Sequence, residues 1–237
     1  MATIYLTRHG QASFGQHDYD CLSPLGERQA VITGEWLAQT LGKSFQLSGS
    51  GTLLRQQQTL AGIHQGMSQS GYLSLCADIT FPGLDELDSG DLMLAANPDF
   101  TDRAQMDLAF ARAANPKQAF FDAYRAALFR WMSGDYDNEY QESWHTFKSR
   151  TIEVLHQSTR QMAQNDSAVL VSSGGVISVI ILQLLNCPDT EMFRINRQIH
   201  NTSITAISER NGKLSLHGFN NYSHLEVKGE KALLTRI

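Results

Sequence analysis

Short apolar strand candidates alternate with helix candidates through the first third of the chain and again near its end. That alternation limits the fold more than any other feature. Ile4, Tyr5 and Leu6 read as a buried strand almost at the first residue. Ser23 then stands before Pro24 as an N-cap, with proline at the first helical position, where its missing N–H would have no partner in any case. Ala30, Gly34, Leu37, Ala38 and Leu41 recur at helical spacing, and Gly42 stops the run. Residues 45–50 are a second strand candidate, 53–67 a second helix and 72–76 a third strand. Strands joined through helices form a mostly parallel sheet with helices on its faces.

The middle of the chain behaves differently. From 91 to about 164 there is no strand pattern, and 104–114, 118–132 and 143–162 read as helices. Asn97-Pro98, Asn115-Pro116 and Ser133-Gly134-Asp135 punctuate them. We read about 91–140 as a helical insertion that caps an active site, within a single domain over 1–237. Alternation then resumes with a buried strand at 168–171, a helix at 175–185, and strands at 203–208 and 213–218 joined by Asn211-Gly212. The expected fold is α/β, a three-layer α/β/α arrangement around a mainly parallel central sheet. A chain of 237 residues buries roughly 70–75% of its unfolded surface, so such a core needs no metal or disulfide staple.

Charge and cysteine usage remove other classes. A net charge of -5 argues against a nucleic-acid binder held by bulk charge, although a small basic pocket is compatible with it. Cys21, Cys76 and Cys187 are far apart and form no C-x-x-C pair, so neither a disulfide framework nor a zinc ribbon is expected. The first residues lack the basic and apolar regions of a signal peptide, and the apolar stretch 176–185 is interrupted by Ser178 and Gln183. The expectation is a cytoplasmic protein with no membrane and no nucleic-acid partner. Eight histidines include no H-E-x-x-H run and no close pair, so no metal and no other cofactor is expected.

Ligands of open parallel sheets bind beyond the carboxyl ends of the strands. Arg8-His9-Gly10 follows the first strand, and Ser50-Gly51 the second, with Arg55 opening the next helix. Ser172-Ser173-Gly174-Gly175 follows the strand at 168–171 and opens a helix as well. Arginine forks suit phosphate oxygens, and helix N-termini offer N–H groups to anions. These residues point to a phosphate site containing a histidine. Gly49-x-Gly51 lacks the remaining features of a dinucleotide fingerprint. The acidic run from Asp85 to Asp91 does not have calcium-loop spacing and, on composition alone, reads as a solvated turn.

Together the pieces resemble the histidine phosphatase superfamily, the phosphoglycerate-mutase-like proteins. The resemblance rests on Leu6-Thr7-Arg8-His9-Gly10-Gln11, on Leu22-Ser23-Pro24-Leu25-Gly26-Glu27-Arg28-Gln29-Ala30, and on Leu53-Leu54-Arg55-Gln56-Gln57-Gln58-Thr59. Leu84-Asp85-Glu86-Leu87, Glu142-Ser143 and Asn201-Thr202-Ser203-Ile204 continue it in the family's order. The resemblance implies that His9 is the nucleophile, that Arg8 and Arg55 clamp the phosphoryl oxygens, and that Glu86 donates the proton. It also implies a small phosphorylated substrate or a phosphoprotein, with inorganic phosphate as product. Ser173 stands where the family has its second histidine, in a run reading Ser-His-Gly, and beside it Gly174 keeps the helix opening that faces phosphate. A serine offers one hydrogen bond and no charge, and losing a charged donor in a dry site costs about 2–4 kcal/mol of transition-state stabilisation.

Gly15 and Ser89 replace an asparagine and a tyrosine that mutase-type members carry, which counts against sugar-phosphate mutase activity. A phosphatase of low or narrow activity is the leading expectation, and a catalytically silent relative that binds a phosphorylated ligand is its rival. His17 or His200 could stand in for the missing histidine in space.

Overall fold

The computed structural model of the chain describes residues 1–13, 20–72 and 76–236. Strand β1 (Ala2–Arg8) leads to helix α1 (Pro24–Leu41), then β2 (Leu47–Ser50), α2 (Leu54–Gln69) and β3 (Asp78–Thr80). Four helices without a described strand between them follow as α3 (Ser89–Ala96), α4 (Arg103–Ala111), α5 (Pro116–Met132) and α6 (Trp144–Arg160), joined by loops and short 3-10 turns. The chain ends through β4 (Ser167–Ser172), α7 (Gly174–Leu185), α8 (Met192–Asn196), β5 (Ile204–Arg210), β6 (Lys213–Asn221) and α9 (Ser223–Glu226). Among the described residues no helix is long and apolar enough to cross a membrane.

The six strands form one sheet in the order β3-β2-β4-β1-β5-β6. Neighbours from β3 through β1 are parallel, and β5 and β6 close the other edge in antiparallel pairing. The fold is therefore α/β with a mostly parallel sheet, as the alternation implies. Strand β4 is central and buried at every position, which is why it reads as an unbroken apolar run. Its side chains alternate between faces. Ala168 and Leu170 join the core cluster that holds Trp144, Phe147 and Ile180, whereas Val169 and Val171 join Leu37, Leu60 and Ile63 from α1 and α2. Helices thus cover both faces.

Local signals set several boundaries. The Ser23 hydroxyl accepts from the Gly26 N–H at the start of α1, and Gly42 ends the helix in the left-handed region at φ 61°. Asn211 and Gly212 both have positive φ, 55° and 79°, as the tight hairpin between β5 and β6 requires.

Two expectations need correction. The third described strand lies at Asp78–Thr80, and of the expected 72–76 neither Tyr72 nor Cys76 is in a strand. The Tyr72 N–H still bonds back to the Met67 carbonyl at the end of α2; residues 73–75 of the expected strand lie outside the described residues. The acidic run is not a solvated turn. Asp88 caps α3 by accepting from the Gly90 and Asp91 N–H groups, and both oxygens of Asp85 accept from Thr52, from its N–H at 2.5 Å and its hydroxyl at 2.6 Å.

Candidate active site

The carboxyl rim of β1 and β4 carries the chemistry-bearing residues. Arg8 is the last residue of β1, in register with Ser172 of β4. The His9 N–H continues that pairing by donating to the Ser172 carbonyl at 2.8 Å, and the Asn201 amide donates to the His9 carbonyl at 3.0 Å. The backbone around His9 is therefore held from two sides. Its ring is fixed as well. Nδ1 lies 2.7 Å from the Gly10 carbonyl, which can only accept. Nδ1 therefore carries the proton, and Nε2 presents a lone pair.

Arg55, in the first turn of α2, donates from Nε to that Nε2 at 3.3 Å. Its other end pairs with Asp20, Nη1 to Oδ1, at 2.6 Å, and the second Asp20 oxygen accepts from the Leu54 N–H at 2.9 Å. One carboxylate thus caps the opening of α2 and aims the arginine. Arg8 donates from Nη1 to the Ile199 carbonyl at 2.5 Å. Arg8, His9 and Arg55 are all buried. Burial holds the His9 imidazole well below its ordinary titration range, and the charges of Arg8 and Arg55 push the same way against the opposing bond to Gly10. The ring is therefore neutral at pH 7.

Ser173 and Gly174 open α7 on the same rim. Ser173 is fully buried and makes no side-chain cap bond to its own helix; its hydroxyl oxygen accepts from Nε2 of Gln56 at 2.9 Å. Gly174 lies against Arg8 and Asn196: a Cβ there would sit 2.2 Å from Asn196 Oδ1 and 3.7 Å from Arg8 Nε. The Gly175 N–H donates to Glu86 Oε2 at 3.0 Å, and Glu86 Oε1 accepts from the Leu87 N–H. A continuous set of contacts therefore runs from Arg55 through His9 and Arg8 to Gly174, and from Gly175 to Glu86. A cavity of about 190 Å³ opens at Glu86, walled by Asp91 and Leu92 of α3 and Trp131 of α5.

Asp20, Gln56 and Asn196 reach this rim without having been singled out in the sequence, because their partners are 35, 117 and about 20 residues away in the chain. His200 Nε2 lies 3.0 Å from Arg236 Nε and its ring lies tilted against Tyr222, centroids 3.8 Å apart. His17 and Gly15 lie outside the described residues, and Ser89 is the first residue of α3. Among the described residues no group of three or more His, Cys, Asp or Glu side chains is placed to hold a metal ion.

A neutral, buried imidazole flanked by two arginines, at the strand ends of an α/β sheet, narrows the class before any comparison is made. Residues 4–222 match the histidine phosphatase superfamily (branch 1), and the chain belongs to that family. Solved structures of similar fold include a mutant phosphoserine phosphatase from Entamoeba histolytica in complex with phosphoserine. It is 21% identical with a TM-score of 0.63, over 95% of this chain and 100% of that one. A phosphoglycerate mutase from Bacillus anthracis is 20% identical with a TM-score of 0.63, over 97% of each chain. A mycobacterial glucosyl-3-phosphoglycerate phosphatase in complex with inorganic phosphate is 21% identical with a TM-score of 0.60, over 94% of this chain and 98% of that one. At these identities the likeness establishes the fold. No curated protein matches the chain.

Proposed function

We propose that the chain hydrolyses phosphomonoesters through a phosphohistidine on His9, taking a small phosphorylated substrate or a phosphoprotein and releasing inorganic phosphate. The observation that carries this reading is the His9 ring itself: neutral, with Nδ1–H tied to Gly10 and Nε2 turned to the Arg55 guanidinium. In the first step Nε2 attacks phosphorus and the ester P–O bond breaks. Glu86 gives its proton to the leaving oxygen. Water then attacks the phosphohistidine and returns a proton to Glu86, the P–N bond breaks, and phosphate leaves with His9 neutral again. Arg8 and Arg55 neutralise the equatorial oxygens, where charge has to be held in the transition state. Ser173 and the N–H groups opening α7 at Gly174 complete the cradle.

The small phosphorylated ligands named for the phosphoserine phosphatase and the glucosyl-3-phosphoglycerate phosphatase above support the substrate class. The cavity between Glu86 and Trp131 supports the reading of about 91–140 as a lid over the leaving group within one domain. The chemistry needs no metal or other cofactor, because the nucleophile is a side chain, and it suits a cytoplasmic setting without a membrane or nucleic-acid partner. Ser173, uncharged in the place of a cationic donor, favours a second reading in which the chain binds a phosphorylated ligand without turnover.

Incubation with a panel of phosphoesters that includes phosphoserine and 3-phosphoglycerate separates the two. Turnover that survives chelator, an acid-labile and base-stable phosphoprotein, and loss of both in His9→Ala are expected. Phosphate binding without turnover or phosphoprotein would leave the binding reading. Activity that needed added magnesium or zinc would overturn the mechanism.

A further inference from the structure

We propose that Gln56 is a positioning residue that holds the Ser173 hydroxyl with its proton turned toward the bound phosphoryl group. Gln56 and Ser173 together then supply one neutral hydrogen-bond donor to the site. The inference rests on the phosphate site proposed above and adds a residue and a role to it.

The direction of each bond follows from what the partners can do. The Leu84 carbonyl can only accept, and it takes bonds from the Ser172 hydroxyl at 2.7 Å and from the Gln56 amide at 3.0 Å. The Gln56 atom facing it is therefore the nitrogen, and the orientation of the amide is settled without reference to Ser173. The second N–H of the same nitrogen meets the Ser173 oxygen at 2.9 Å. Ser173 accepts that bond, so its own proton points away from Gln56. Among the described residues no acceptor takes it. The serine is fully buried and leaves its helix uncapped, and a buried donor without a partner is costly unless a ligand supplies one.

The position of Ser173 says what that ligand is. The residue before it holds the His9 N–H, and the residue after it lies against Arg8. A donor between them faces the oxygens that the arginines clamp. Gln56 also uses only half of its amide. Its Nε2 makes two bonds, while the buried Oε1 makes none among the described residues. A side chain with its donor half fully used and its acceptor half idle is placed as a donor. Gly51 makes the room: a Cβ there would sit 2.1 Å from Gln56 Oε1.

The test is a double-mutant cycle on Gln56→Leu and Ser173→Ala, read by the affinity for inorganic phosphate in calorimetry and by melting temperature. Ser173→Ala should weaken phosphate binding roughly tenfold, the loss of one hydrogen bond to a charged group. Gln56→Leu should weaken it in the wild-type background and have no further effect in Ser173→Ala. A packing role would change the melting temperature alike in both backgrounds and leave phosphate affinity alone. Gln56→Met, unbranched and of similar length, takes the same place should Gln56→Leu fail to fold. Unchanged affinity in the Gln56 variant, or an equal loss in both backgrounds, overturns the inference while the phosphate site stands. A wild-type protein that binds no phosphate and forms no phosphoprotein overturns the site reading, and the inference with it.

Discussion

The strand rim and the helical stretch over 91–140 are built to different standards. On the rim, the backbones of β1 and β4 run in parallel register up to Arg8 and Ser172, and His9 is held by bonds to Ser172, Gly10 and Asn201. Arg8, His9 and Ser173 are all buried. In the helical stretch much of α4 and α5 faces solvent. Leu108 and Phe129 are exposed, while Phe100, Phe110 and Phe120 meet edge to face. One of its attachments is Trp131, which packs on Trp144 and Phe147 with ring centroids 5.1 and 5.4 Å away and donates to the Glu142 carbonyl. The groups proposed above to meet the transition state sit on the packed sheet, as positioning within a fraction of an ångström requires. The helical stretch sends only a few side chains, Leu92, Met93, Met106, Leu128 and Trp131 among them, into the common core.

The largest expected effect attacks the anchor. Trp131→Ala should lower unfolding free energy by about 3–5 kcal/mol, because Trp131 shares its cluster with Leu6 and Leu170 of the sheet. A loss below about 1 kcal/mol in urea unfolding would mean that the helices form a separate unit, and the contrast with the rim would become a contrast between domains.

Acidification sharpens the comparison from the other side, since residues 91–140 contain no histidine. His224 of α9 is buried beside Thr33 of α1, and burial lowers its pKa from 6.5 to about 4. Between those values the unfolded chain binds a proton that the folded chain refuses. Stability is therefore complete above about pH 6.5 and falls as the pH drops toward 4, by on the order of 3 kcal/mol. His9, lowered for the same reason and by its arginines, acts in the same direction. His224→Gln should flatten that part of the pH profile of unfolding; an unchanged profile would place the sensitivity elsewhere.

The smallest effect is confined to the rim. Arg55→Ala should weaken phosphate binding at least roughly tenfold through loss of a charge-assisted contact. The melting temperature should change little, because the Asp20 side chain left behind is 39% exposed and can be hydrated. Unaltered phosphate affinity would make Arg55 a partner of Asp20 and nothing more.

How much of this could be read from the chain varies with the range of each signal. Ser23, Pro24 and Gly42 mark α1 because caps act within one turn, and β4 is visible because a strand buried on both faces is apolar throughout. Helix α3 escaped because its cap, Asp88, stands in a run of acids that resembles a turn, and its eight residues are too few to display a period. The strand at Asp78–Thr80 escaped because its only described strand neighbour, β2, decides where pairing begins.

The same division holds at the site. The sequence by itself singled out the candidates for phosphate chemistry, since Arg8-His9-Gly10, Arg55, Glu86 and Ser173-Gly174 all stand in short motifs. Only the tertiary structure decided how they are aimed. The tautomer of His9 depends on the direction of the Gly10 carbonyl, and the aim of Arg55 on Asp20. The direction of the Ser173 proton depends on Gln56, 117 residues away. The physical reason is that β4 enters the sheet between β1 and β2, bringing distant turns onto one rim. A hydrogen bond depends on distance and angle, and neither exists before that crossover is made.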